Sequence, residues 1–155
     1  MQVKQLAGGI VPHGTGHHFN LLGHSITKVF ANEATGGAYY VFEVVTPPGL
    51  GLPMHVHDRE DEIIYVVEGE FEIFLGDKRF IAKAGDNVFF PRGLAHAFQN
   101  AGSKAAKAIF TVSPGASFEA FFDKLAALPP GPPDMKRIIE IFAAHGMQVL
   151  LPQPT

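Results

Sequence analysis

From Ser25 onward the chain breaks into short runs in which apolar residues recur at every second position, separated by clusters of glycine, proline and polar residues. SITKVFA and AYYVFEVVT come first, bounded by NEATGG and PPGLG; EIIYVVEG, EFEIFLG, KRFIAKAG, NVFFP, HAFQN and AAKAIFTVS follow. In FEIFL, Phe71, Ile73 and Leu75 share one face of a period-2 pattern. Gly76-Asp77, between two such runs, predicts a two-residue hairpin with glycine first. About eight short strands with no helix between them predict an all-β fold, an antiparallel sandwich or barrel over residues 25–113.

The flanks differ. Residues 1–24 are rich in Gly, His and polar residues and are predicted to form a loosely attached arm. After Pro114 the period lengthens to that of a helix. SFEAFFDKLAAL places Phe118, Phe121, Phe122, Leu125 and Leu128 on one stripe, with Ser117 able to cap it. PPGPP breaks the chain. DMKRIIEIFAAHG then predicts a second helix with Asp134 as N-cap, Ile138, Ile139 and Phe142 on one face, and Gly146 at its end. Two short, one-sided helices are expected to pack outside the barrel, making residues 114–155 an extension of the same domain.

Composition narrows the function classes. A chain of 155 residues, 46% hydrophobic and 17% charged, suffices for one domain with its own core. A net charge of −3 with scattered basic residues gives no footprint for nucleic acid. The N-terminus lacks the apolar core of a secretory signal, and no window approaches the roughly 20 apolar residues of a membrane span. Cysteine is absent, so there is no disulfide framework, thiolate cage or cysteine nucleophile. The expectation is a soluble, cytoplasmic protein with no membrane or nucleic-acid partner.

The candidate chemistry sits in GLGLPMHVHDREDEIIYVVEG, residues 49–69. His55 and His57 are two apart in an extended region, so both imidazoles project from one face and can reach one ion. Asp58, Glu60, Asp61 and Glu62 follow. Glu62 opens an uninterrupted apolar run, which predicts a buried strand, where a carboxylate is costly unless paired or coordinated. Asp58, Glu60 and Asp61 are assigned to a solvated acidic turn. His96 begins the run HAFQN, where a lone histidine is equally compatible with a core hydrogen bond. His13, His17, His18, His24 and His145 fall in the arm or at a helix end and are expected to be mostly exposed and inert.

These residues carry a resemblance. Gly49, His55, His57, Glu62 and Gly69, then Gly85, Pro91, Gly93, His96 and Asn100, stand at spacings that resemble the two motifs of the cupin superfamily. GGAYYVFEVVTPPGLGLPMHVH and SPGASFEAFFDKLAAL are similar, more loosely, to the single-domain quercetin dioxygenase-like cupins. The resemblance implies a double-stranded β-helix, or jelly-roll, barrel. It also implies one divalent transition metal held by His55, His57, Glu62 and His96, and a homodimer. Nitrogen-rich, thiolate-free ligation suits Fe, Mn, Ni, Co, Cu or Zn better than Ca or Mg; Fe or Mn is favoured.

Two open positions on such a metal would admit a substrate oxygen. The expected function is therefore a dioxygenase-like oxidoreductase acting on a small enol, phenol or diketone, with Glu62 as ligand or general base. Ile64 shares the parity of Glu62, and Phe98 that of His96, so both are expected beside the metal as substrate-binding residues. Two alternatives stand beside this. One is a non-catalytic small-molecule- or metal-binding cupin. The other is a sugar isomerase or epimerase, for which Lys28, Arg79 and Arg92 are the candidate polar residues.

Overall fold

Alternation becomes register in the computed structural model, which describes residues 6–151; the first five residues of the predicted arm and the last four of the predicted extension lie outside the described residues. The chain runs β1 (His17–Leu21), β2 (His24–Phe30), a single helical turn α1 (Asn32–Thr35), β3 (Tyr40–Thr46) and β4 (Gly51–His57). It continues through β5 (Asp61–Glu68), β6 (Glu70–Leu75), β7 (Lys78–Lys83), β8 (Asn87–Phe90), β9 (His96–Gln99) and β10 (Ala106–Ser113). The helices α2 (Phe118–Ala126) and α3 (Met135–Ala144) follow, and β11 (Met147–Val149) ends the fold.

The strands form two antiparallel sheets, ordered β1-β2-β3-β10-β5-β8 and β11-β4-β9-β6-β7. The inward parity fills the space between them: Phe42 and Val44 of β3, Ile64 and Val66 of β5, and Phe110 of β10 on one side, Phe71, Ile73 and Phe98 on the other. Each such side chain contributes about 1.5–3 kcal/mol by leaving water. The all-β jelly-roll expected of the sequence is the architecture found. The predicted hairpin is there too, with Leu75 paired to Lys78 across Gly76-Asp77 and Gly76 at φ 59°.

Eleven strands stand among the described residues, three more than the alternation marks: β1, β4 and β11. β1 lies in the stretch read as an arm. HHFNL pairs with β2 from His17↔Lys28 to Leu21↔His24, and Leu22 and Gly23, both at positive φ, make the two-residue turn between them. β5 corrects another reading. It is not buried on both faces: Ile63, Tyr65 and Val67 point outward, 48%, 43% and 39% exposed. Glu62 is buried because it shares the inward parity of Ile64 and Val66.

The helices lie outside the sheets, as expected, and close one side of an internal cavity with Phe118, Phe121, Phe122 and Phe142. Asp134 caps α3, accepting a hydrogen bond from the Arg137 backbone N–H at 3.2 Å. Its buried face is Ile138, Ile141 and Phe142, so Ile141 takes the place expected of Ile139. Ser117 does not cap α2; its hydroxyl turns elsewhere. Among the described residues no helix is long and apolar enough to cross a membrane.

Candidate metal centre

β4 and β9 are neighbours, and their register sets His55 opposite His96. His57 lies two residues along β4 on the same face. The turn that delivers His96 is held at both ends: Leu94 N–H donates to the Pro91 carbonyl at 3.3 Å, and Gly93 N–H donates to the His57 carbonyl at 2.8 Å. Gly93 sits at φ 80°, where a side chain would be strained. As a result one ring nitrogen from each of His55, His57 and His96 lies within 4.8 Å of the other two. All three rings are buried.

The hydrogen bonds decide which nitrogens are offered. His55 Nδ1 lies 2.8 Å from the Pro53 carbonyl, and His96 Nδ1 lies 3.1 Å from the Leu94 carbonyl. A carbonyl can only accept, so both Nδ1 atoms carry the proton and both Nε2 lone pairs are free. His96 Nε2 and both nitrogens of His57 are buried without a hydrogen-bond partner. Such orphans are rare in folded proteins and call for an explanation. Three convergent imidazoles with free lone pairs fit a transition metal.

Stacking fixes the rings. Phe90 stacks on His96 at 4.1 Å, Phe118 of α2 stacks on His57 at 5.7 Å, and Phe142 of α3 meets His55 edge-on at 5.9 Å. The C-terminal helices are thus part of the site. Burial, helped by the neighbouring imidazoles, lowers the pKa of His57 to about 2 and of His96 to about 3; burial also lowers His55, against the Pro53 hydrogen bond. The trio is neutral at pH 7, the form that ligates.

Two buried carboxylates flank His57. Glu62 Oε2 lies 3.5 Å from His57 Nε2, on the cavity side. Burial, then the proximity of Glu60, raise its pKa to about 8. It stands beside the three-nitrogen group without belonging to it. Glu60 is the correction. Assigned above to solvent, it is 2% exposed, with Oε1 accepting from the Ser117 hydroxyl at 3.0 Å. Its Oε2 has no partner and faces His57 Nδ1 at 3.9 Å, too far for a hydrogen bond. Asp58 is exposed as expected, and Asp61 pairs at the surface with Arg92 at 3.1 Å.

With a metal on Nε2, His57 would carry its proton on Nδ1, and closing the 3.9 Å gap would let Glu60 accept it, orienting the ring and raising its basicity. Glu60→Gln is therefore expected to weaken metal binding by about 10- to 100-fold. Competition against a chelating indicator measures this; an unchanged affinity would show that Glu60 takes no part in the site.

The cavity beside the histidines holds about 50 Å³. Its polar lining residues are His24, His55, His57 and Glu62; the rest of the lining is apolar, including Phe98. Ile64 does not line it. Two residues beyond Glu62 on the same face, it is carried past the site into the packed core, 1% exposed. Lys28, Arg79 and Arg92 pair instead with Glu119, Glu72 and Asp61, and none lines the cavity. His24, read as an arm residue, is 2% exposed and lines the cavity. The missed signal was parity: His24 shares the face of Ile26, and Glu60 that of Glu62.

Comparison with known proteins agrees with this geometry. The cupin domain model matches residues 42–119, half of the chain. The chain is 34% identical over 67 residues to the polyketide synthase CurC of Streptomyces cyaneus, covering 43% of this chain and 44% of that protein. It is 30% identical over 87 residues to quercetin 2,3-dioxygenase of Bacillus subtilis, covering 56% of this chain and 26% of that protein. It thus spans less than half the length of either relative. The structure of KdgF from Halomonas sp. superposes with a TM-score of 0.63 at 22% identity, covering 70% of this chain and 94% of that one, a likeness of fold. Two antiparallel sheets, three histidines gathered between β4 and β9, and a family match over half the sequence lead to one conclusion: the chain belongs to the cupin family.

Proposed function

We propose that this cupin is a metal-dependent, dioxygenase-like oxidoreductase acting on a small enol, phenol or β-diketone, with iron or manganese as the working metal. The observation that carries the reading is the cavity beside the three-histidine group: its wall presents His24, His55, His57 and Glu62 and is otherwise apolar, and His96 joins His55 and His57 to complete the three nitrogen donors. A divalent metal held by the Nε2 atoms of His55, His57 and His96 would polarise a substrate oxygen and acidify the group that bears it.

Burial alone leaves Glu62 protonated at pH 7; a divalent cation beside it would favour the carboxylate, and Glu62, 3.5 Å from His57 Nε2, then stands where it can take the released proton. Phe98, Phe118 and Phe142 exclude water and hold the substrate body. For a β-diketone the overall reaction consumes one O₂, cleaves the bond between the central carbon and one carbonyl carbon, and yields a carboxylic acid and a 2-oxoaldehyde. It needs no external reductant.

Size favours compact substrates. Pockets for drug-sized ligands run to about 300–1,000 Å³, and this cavity holds about 50 Å³. A polycyclic flavonol would require the phenylalanines to move. The sugar isomerase alternative loses support because its basic candidates are paired away from the cavity.

An oxygen electrode tests the proposal. Protein loaded with Fe(II) or Mn(II) is expected to consume O₂ with 2,4-pentanedione or catechol and to be slower with quercetin. Glu62→Gln should keep the metal while turnover falls by about 10²–10⁴-fold. No uptake with any first-row metal would overturn the dioxygenase reading, and a preference for quercetin would overturn the size argument.

A further inference from the structure

His24 is the polar residue of the cavity that the metal centre does not use. It begins β2, its ring is 2% exposed, and it packs edge-on against Phe98 at 5.7 Å. Nδ1 is hydrogen-bonded to the Thr46 hydroxyl at 3.0 Å, whereas Nε2 is buried with no partner. The Thr46 hydroxyl makes its one side-chain hydrogen bond here. If that hydroxyl donates to Nδ1, the ring's own proton sits on Nε2.

Its position is defined by register. His55 pairs with His96 at the metal end, and Leu52 pairs with Phe98 deeper in the barrel. Two to three residues separate these rungs, roughly 7–10 Å of strand. Leu52, Phe98 and His24 line one cavity with His55 and His57 of the metal-facing group.

We propose that His24 is a substrate-binding residue at the far end of the cavity, where its Nε2–H donates to a neutral oxygen acceptor of the bound molecule. The molecule it selects is compact and mainly apolar, with one oxygen toward His55, His57 and His96 and a second, carbonyl or ether-like, roughly 7–10 Å away. The acceptor is neutral because no lysine or arginine lines the cavity, and a buried carboxylate would have no counter-charge. The ring itself is neutral at pH 7: burial lowers its pKa to about 4, with the Gly51 carbonyl acting in the opposite direction. This inference rests on the proposed function only for the end of the molecule that faces the three histidines.

The test compares two probes of one shape, 4-hydroxyacetophenone and 4-ethylphenol; only the first carries the distal acceptor. Calorimetric titration uses the full chain loaded with Zn(II), which is redox-inert, with metal content measured on the same samples. Wild type is expected to favour 4-hydroxyacetophenone by about 5- to 10-fold. His24→Phe should abolish that preference and leave 4-ethylphenol binding at least as tight, with little change in Tm, because the orphan donor on Nε2 is gone while the buried Thr46 hydroxyl loses its partner.

His24→Leu removes the donor a second way if the larger ring disturbs folding. Loss of the preference in a sample that holds no metal would support His24 and remove the metal reading. An unchanged preference in folded, metal-loaded variants would overturn the His24 assignment alone. Failure of either probe to bind wild type would overturn it as well.

Discussion

Replacing His57 with alanine is expected to strip the protein of its metal, lowering affinity by more than the about 10²-fold lost on removing an outer-sphere partner. His57 is the most informative of the three ligands because nothing else in the fold uses its polar atoms. Both of its nitrogens are buried without a hydrogen-bond partner, whereas His55 and His96 each donate to a backbone carbonyl. Its removal also loses the stack on Phe118 and leaves Glu60 and Glu62 facing a gap. The metal-free variant should nevertheless stay folded, because a desolvated, unpaired imidazole is a poor source of stability. Elemental analysis beside a thermal melt separates the two effects. A His57→Ala protein that retains a full equivalent of metal would contradict the site.

Metal-free protein is expected to lose stability as the pH falls from 7 to 5. His24, His55, His57 and His96 all have folded-state pKa values below the 6.5 of an unfolded chain, with burial the main cause in each. Below pH 6.5 the unfolded chain binds protons that the folded chain cannot. Stability from these groups is therefore complete above 6.5 and declines as the pH drops, by up to about 1.4 kcal/mol per pH unit for each. Glu62 acts in the opposite sense. Its pKa is raised to about 8, so between there and 4.5 the folded state holds a proton that the unfolded state releases, and acid favours folding. Glu60, also raised by burial, adds to that offset. Four histidines against two carboxylates leave a net loss of stability between pH 7 and 5. Urea midpoints of chelator-treated protein at the two pH values measure it, and a midpoint that holds or rises on acidification would contradict the neutral histidine cluster.

The strand alternation and the histidine spacing were legible because both depend on local periodicity. FEIFL and AAKAIFTVS write their buried face directly into the sequence, and His55 and His57 share a face on any extended segment. Features that depend on where an element begins, or on what covers it, were not. Glu60 looked solvated because it sits among charges in DREDE; its burial comes from Ser117, at the start of a helix 57 residues away. His24 looked inert because the alternation was read from Ser25, and the hairpin that extends β2 back to it turns at Leu22-Gly23, where a leucine adopts positive φ. Ile64 had the right parity and the wrong depth. The helical stripes were legible as buried faces, but their apposition to the imidazoles follows only once α2 and α3 fold back over the sheets.

The central claim is that His55, His57 and His96 hold one transition metal through Nε2. Diffraction data collected at the absorption edge of the metal found in the purified protein test it most directly. One anomalous peak is expected, about 2.0–2.2 Å from all three Nε2 atoms, with Glu62 beside it on the cavity side. No peak between those rings, or a peak faced by their Nδ1 atoms, would contradict the account.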